Sequence, residues 1–193
     1  MELYQHVRVV LSILVAFSLT HLLKGVARLI QHPGRERIYW VHLLWTLFVF
    51  FYLIAFWWWE FRLEHLPSWT FALYFLVIAY GILLYGLSAL LFPDDLRDYD
   101  GFKEYFYRRR GWFFGTLALI SVVDYADTLI KGRERLETLG VEYDVRTVVF
   151  LVCSLVAMRT QNPRFHASVR DDRDRVYTVS DFQTVLPRVV SAG

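Results

Sequence analysis

The stretch SVVDYADTLIK, Ser121–Lys131, places two carboxylates, Asp124 and Asp127, at the end of an apolar run. An ionised carboxylate in lipid has no water to solvate it. On insertion scales an aspartate at a helix centre costs about 2.5–3.5 kcal/mol. Such a group must be protonated, paired or wet, so it can hold a proton, attract a cation or close an ion pair. On a helix, Asp124, Asp127 and Lys131 project within a limited arc, and Asp127 and Lys131 are four residues apart. Asp127 with Lys131 reads as an interfacial ion pair near one end of the helix. Asp124 lies closer to the middle and asks for a partner or a path. His6 and Arg8, at the matching end of the first apolar segment, are its candidate partners.

That first segment has an uneven pattern of its own. At about 100° per residue, His6, Thr20, His21, Lys24 and Arg28 fall on one face, with Phe17 in the same arc and mostly Val and Leu opposite. This is the pattern of a helix with one side on lipid and the other on protein or water. Lys24 and Arg28 lie near a helix end, where long cations reach the headgroups, so packing plus snorkelling is the simplest account. The functional account is a proton or ion path through Asp124, Asp127, His21, Lys24 and His6. His42, near the start of the second segment, adds a weak haem pairing with His21. At 1.5 Å per residue the two rings would differ in depth by roughly 9 Å. No CxxCH occurs. No cofactor is expected, with haem b as the alternative, and no metal site is read.

The elements that must position these groups are apolar helices. The 193 residues are 56% hydrophobic and 18% aromatic, against the roughly 45–50% apolar content of soluble domains. A span needs about 20 mostly apolar residues. Five segments qualify or come close: about 6–30, 39–59, 69–92, 111–130 and 145–160, the last being short. The predicted fold is therefore an all-α polytopic transmembrane bundle of about five spans over residues 1–161. Tyr39, Trp40, Trp57, Trp58, Trp59, Trp69 and Trp112 mark the interfaces, and Pro33, Pro67 and Pro93 punctuate the links. "RRRGW", Arg108–Trp112, reads as a charged stop followed by an aromatic anchor. In the third segment Ala72, Ala79 and Gly86 form a seven-residue stripe that would let another helix approach. Tyr74, Tyr80 and Tyr85 could donate hydroxyls to neighbours.

Basic residues set the orientation. The links following the first and third segments carry Arg35, Arg37, Arg97, Lys103, Arg108, Arg109 and Arg110; the opposite links carry Arg62, Lys131, Arg133 and Arg135. The first set marks the cytoplasmic side, with the N-terminus outside and the C-terminus inside. The segment Phe102–Arg110 reads as lying on the anionic leaflet. Residues 162–193 form a polar tail. It contains the charged run Arg170–Arg175 and a candidate amphipathic helix, Ser180–Val190, disturbed by Pro187.

The single cysteine, Cys153, excludes a disulfide framework, and a net charge of +2 gives no reason to expect nucleic acid. No Walker loop, GxGxxG, GxSxG or HExxH occurs, which leans away from an enzyme. The segments FSLTHLLKGVARLI, YWVHLLWTLFVFFYLIAFWWW, RRRGWFFG and DYADTLIKG together resemble those of small uncharacterised bacterial polytopic inner-membrane proteins. The resemblance implies a bacterial inner (plasma) membrane and brings no activity. The functional expectation is a small oligomeric channel or transporter for protons or cations, with the lipid bilayer and further copies of the chain as partners. A non-transporting scaffold or accessory subunit is the first alternative. A haem- or quinone-linked redox protein is the second.

Overall fold

The computed structural model describes residues 2–65, 69–130, 133–162 and 165. Every regular element among them is helical: α1 Glu2–Gln31, α2 Trp40–Trp59, a 3-10 turn Glu60–His65, α3 Phe71–Ala89, α4 Phe102–Ile130 and α5 Arg133–Ala157. Four of these, α1 to α4, are long and apolar enough to cross a membrane. In lipid a helix satisfies its own backbone, which is why apolar runs of this length fold this way. The chain is a helical membrane bundle. Lys131, the proposed counter-ion of Asp127, lies outside the described residues, as do Pro67 and the tail features from Arg170 to Val190.

Two boundaries differ from the sequence reading. Helix α4 begins at Phe102, not Gly111. Arg108–Arg110 are therefore inside a helix rather than a stop before one, because Phe102, Tyr105 and Phe106 bury an apolar face that carries the helix through the charges. Helix α5 begins at Arg133 and contains a break at Gly140 (φ 68°, ψ 179°), a left-handed backbone that glycine adopts without strain. Beyond that break, α5 runs back along α4. Tyr143 reaches Thr128 near one end, and the Met158 carbonyl accepts from Arg110 near the other. From Tyr143 to Met158 the chain thus runs alongside α4, although α5 is not among the four helices long and apolar enough to cross a membrane.

The packing order is α1 on α3, α3 on α4 and α4 on α5, with α2 laid across α1, α3 and α4. Aromatic rings fill the core: Trp45 meets Phe48, Phe113 and Phe114 at centroid distances of 5.1–5.4 Å, all near edge-to-face. Helix α1 turns its Val and Leu face inward, with Val7, Leu11, Val15 and Leu22 buried. His6, Thr20 and Lys24 face outward. The polar face is real, but most of it does not line the bundle. Between helices in lipid the driving force is tight packing rather than hiding apolar area, so close-fitting aliphatic side chains take the inner side.

The close approaches also fall elsewhere than expected. Ala72 of the Ala72–Ala79–Gly86 stripe is exposed, and a Cβ on Gly86 would meet nothing within 4 Å. The tight places are Gly81, against Leu11 and Leu14 of α1, and Gly25, where a Cβ would run into the ring of Phe92.

Candidate functional site

Asp124 is half-buried on α4 and does not face α1, because α3 stands between the two helices. His6 and Arg8 are therefore not its partners. Arg8 instead lines a cavity of about 10 Å³, enough for one water, together with Tyr4 and Glu60. The partners of Asp124 are phenols. Tyr80 of α3 donates to Oδ1 at 2.8 Å, and Tyr143 of α5 donates to Oδ2 at 3.3 Å. The chain continues on both sides. Tyr52 of α2 bonds the Tyr80 hydroxyl at 2.6 Å, and Thr128 of α4 bonds the Tyr143 hydroxyl at 3.0 Å. Tyr52–Tyr80–Asp124–Tyr143–Thr128 is thus one connected network that draws on four helices.

The network lies within the apolar depth of the bundle. Trp59 ends α2 seven residues beyond Tyr52, and Phe71 starts α3 nine residues from Tyr80. At 1.5 Å per residue these distances are ~10 and ~13 Å. Tyr52, Tyr80, Tyr143 and Thr128 are all under 8% exposed. Neighbours hold Tyr143 in place: Tyr125 stacks on its ring at 6.1 Å, and Arg146 sits 5.1 Å from its centroid. Asp127 lies one turn further along α4 and is buried.

Two phenols donate to this carboxylate, one to each oxygen, so both of its oxygens are satisfied. The same contacts are exchangeable. Each link joins a group that carries a proton to a group that can take one, so a proton can be passed along the network. A cation bound here would have to turn both hydroxyl hydrogens away, since hard cations need oxygen lone pairs. Among the described residues no group of three His, Cys, Asp or Glu comes together as a metal site.

The histidines are placed elsewhere. His21 Nε2 bonds the Phe92 carbonyl at 2.9 Å, and His42 Nε2 bonds the adjacent Leu91 carbonyl at 2.7 Å. A carbonyl only accepts, so both rings carry the proton on Nε2. The two rings therefore sit at similar depth instead of ~9 Å apart, because α1 continues past the level at which α2 begins. They belong to a longer arrangement. Tyr105 donates to Leu90, and Arg28 donates to Pro93 and Asp94. Five consecutive carbonyls from Leu90 to Asp94, the unsatisfied end of α3 and the turn after it, are each capped by a side chain from α1, α2 or α4. His42 is also enclosed by Phe102, stacked at 4.5 Å, and by Phe92, edge-on at 5.0 Å. Lys24 points outward one turn from His21 and joins neither cluster.

Sequence reasoning singled out Asp124 and named Tyr80 as a donor. It missed Tyr52, Tyr143 and Thr128. The signal for Tyr52 was a phenol in a charge-free span, where its hydroxyl must find a partner. Tyr143 sat in a stretch, Val141–Arg146, whose charges read as a link. No protein family, no curated protein and no solved structure matches the chain.

Proposed function

We propose that this membrane protein takes up and releases a proton at Asp124, with the flanking phenols as the relay, and that it works as a small proton-conducting or proton-coupled transporter. The observation that carries the reading is the continuous set of hydroxyl and carboxylate contacts from Tyr52 to Thr128. Protons are preferred to metal cations because the oxygens around the carboxylate present hydrogens to it. The basic end of the bundle, with Arg97, Lys103 and Arg108–Arg110, is assigned to the cytoplasmic side of a bacterial inner membrane by the positive-inside rule. A homo-oligomer is the expected working form.

Proton flux into liposomes tests this. Wild type should acidify the lumen under an imposed potential. Asp124→Asn, which keeps the shape and one acceptor oxygen, should abolish that flux while the protein still folds. Flux that survives in Asp124→Asn would overturn the reading.

The scaffold or accessory reading draws on the same network, since it ties four helices together. Under that reading Asp124→Asn lowers stability, and wild type carries no flux. A haem- or quinone-linked reading would need His21 and His42 released from the carbonyls they now cap.

A further inference from the structure

The basic end of α4 carries two guanidinium groups gathered on one ring. Arg109 directs Nε and Nη2 onto the Tyr99 hydroxyl at 3.0 and 2.8 Å. The guanidinium carbons of Arg108 and Arg109 lie 5.7 and 6.0 Å from the centre of the same ring. Tyr99 is itself braced edge-on by Tyr105 at 5.1 Å. Two cations are thus held side by side against a fixed aromatic support.

Nearby acids do not cancel this pair. Asp100 is matched by Arg37 at 2.8 Å, and Asp95 by Arg97 at 3.2 Å. Among the described residues Glu104 pairs with Arg108, at 3.7 Å, across a contact more than 40% exposed on both sides. Such a loose exposed contact holds little.

Trp112 lies one turn further along the same face, four residues from Arg108 and three from Arg109. It is 69% exposed. An indole left uncovered on a membrane helix, one turn along from two arginines, suits one lipid: phosphate at the arginines, glycerol and the start of an acyl chain along the indole.

We propose that Arg108, Arg109 and Trp112 form a docking ledge for an anionic phospholipid on the outward face of α4. Guanidinium groups pair with phosphate oxygens in a planar, two-pronged geometry, and Tyr99 orients them before the lipid arrives. Lipid is favoured over a soluble phosphate because Trp112 offers apolar area that a free anion would leave bare. The ledge is separate from the Asp124 network and stands or falls without it.

Native mass spectrometry of the full chain in detergent, titrated with phosphatidylglycerol or phosphatidylcholine, tests the ledge. Each basic residue near an anionic surface accounts for about a factor of five in affinity, so phosphatidylglycerol should bind roughly ten- to thirtyfold more tightly than phosphatidylcholine. Arg108→Gln with Arg109→Gln should remove that preference, and Arg108→Lys with Arg109→Lys, which keeps the charge and loses the planar fork, should keep only part of it. Trp112→Ala should weaken phosphatidylglycerol several-fold, while Arg97→Gln should change nothing. Equal binding of the two lipids by wild type would overturn the proposal. So would a preference that survives the Gln pair, or an unchanged affinity in Trp112→Ala. Displacement by inorganic phosphate at concentrations comparable to the lipid's would assign the pair to a soluble anion, and would also overturn it.

Discussion

At the basic end of the bundle, side chains from three helices donate to a row of backbone carbonyls. Ten residues along α2 from His42, or ~15 Å, a carboxylate and three phenols bond one another instead. Both clusters answer the same demand, that no polar group stay unsatisfied in an apolar interior. They differ in what they can do afterwards. A carbonyl accepts a hydrogen bond and can never return a proton, so the His21 and His42 bonds are ends. A phenol both donates and accepts, and a carboxylate takes a proton outright, so the Asp124 bonds are links. Buried polar residues in a membrane helix are therefore not one class. The histidines secure the end of α3, and the aspartate joins hydroxyls that both donate and accept.

The sharpest way to break this contrast is to empty the second cluster. Asp124→Leu leaves the Tyr80 and Tyr143 hydroxyls with a lost acceptor. At 1–3 kcal/mol for each stranded donor, denaturation in detergent should show a loss of about 2–6 kcal/mol, with flux gone. A stability equal to wild type would mean that the network holds nothing together.

His42→Ala is the matching change at the other end. It should cost about 2–4 kcal/mol by uncapping Leu91 and opening space between Phe92 and Phe102, while proton flux per folded molecule stays at the wild-type level. Flux lost in His42→Ala would erase the distinction between ends and links.

Tyr52→Phe should be milder. It removes one hydrogen bond, about 0.5–1.5 kcal/mol, and shortens the relay at its α2 side, so liposome flux should fall without vanishing.

The smallest effect belongs to Tyr39, just outside α2, whose hydroxyl bonds Tyr107 at 2.9 Å. Burial, reinforced by that bond, raises its pKa above the ordinary 10.0. The folded state thus keeps a proton that the unfolded chain gives up. The stability this contributes is complete below pH 10 and is lost as pH rises further. Tyr39→Phe should flatten the alkaline limb of a melting-temperature profile above pH 10 and leave the neutral range nearly unchanged.

Much of this was legible in the chain itself. Charge-free runs such as Trp40–Trp59 leave a membrane helix as the simplest reading, and Asp124 stands out because its surroundings do not suit it. Periodicity identifies residues that share a face, as with His6, Thr20 and Lys24, but not whether that face meets lipid or protein. The partners of Asp124 could not be read because they come from helices far apart in sequence. The depth of His21 was misjudged because one helix can overshoot its neighbour. The start of α4 was hidden because its buried aromatic face, Phe102, Tyr105 and Phe106, is interrupted by charge.

The capped carbonyls of α3 also bear on the order in which the protein is made. A chain leaves the ribosome N-terminus first. His21, Arg28 and His42 therefore precede α3, and the end of that helix meets donors already in the bilayer, with Tyr105 following within one segment. Asp124 has no such reception. Tyr52 and Tyr80 are present when it arrives, yet its second phenol comes only with Tyr143. Until α5 is synthesised, the carboxylate carries half of its final complement, and the newborn protein is least complete at the carboxylate that ties its helices together.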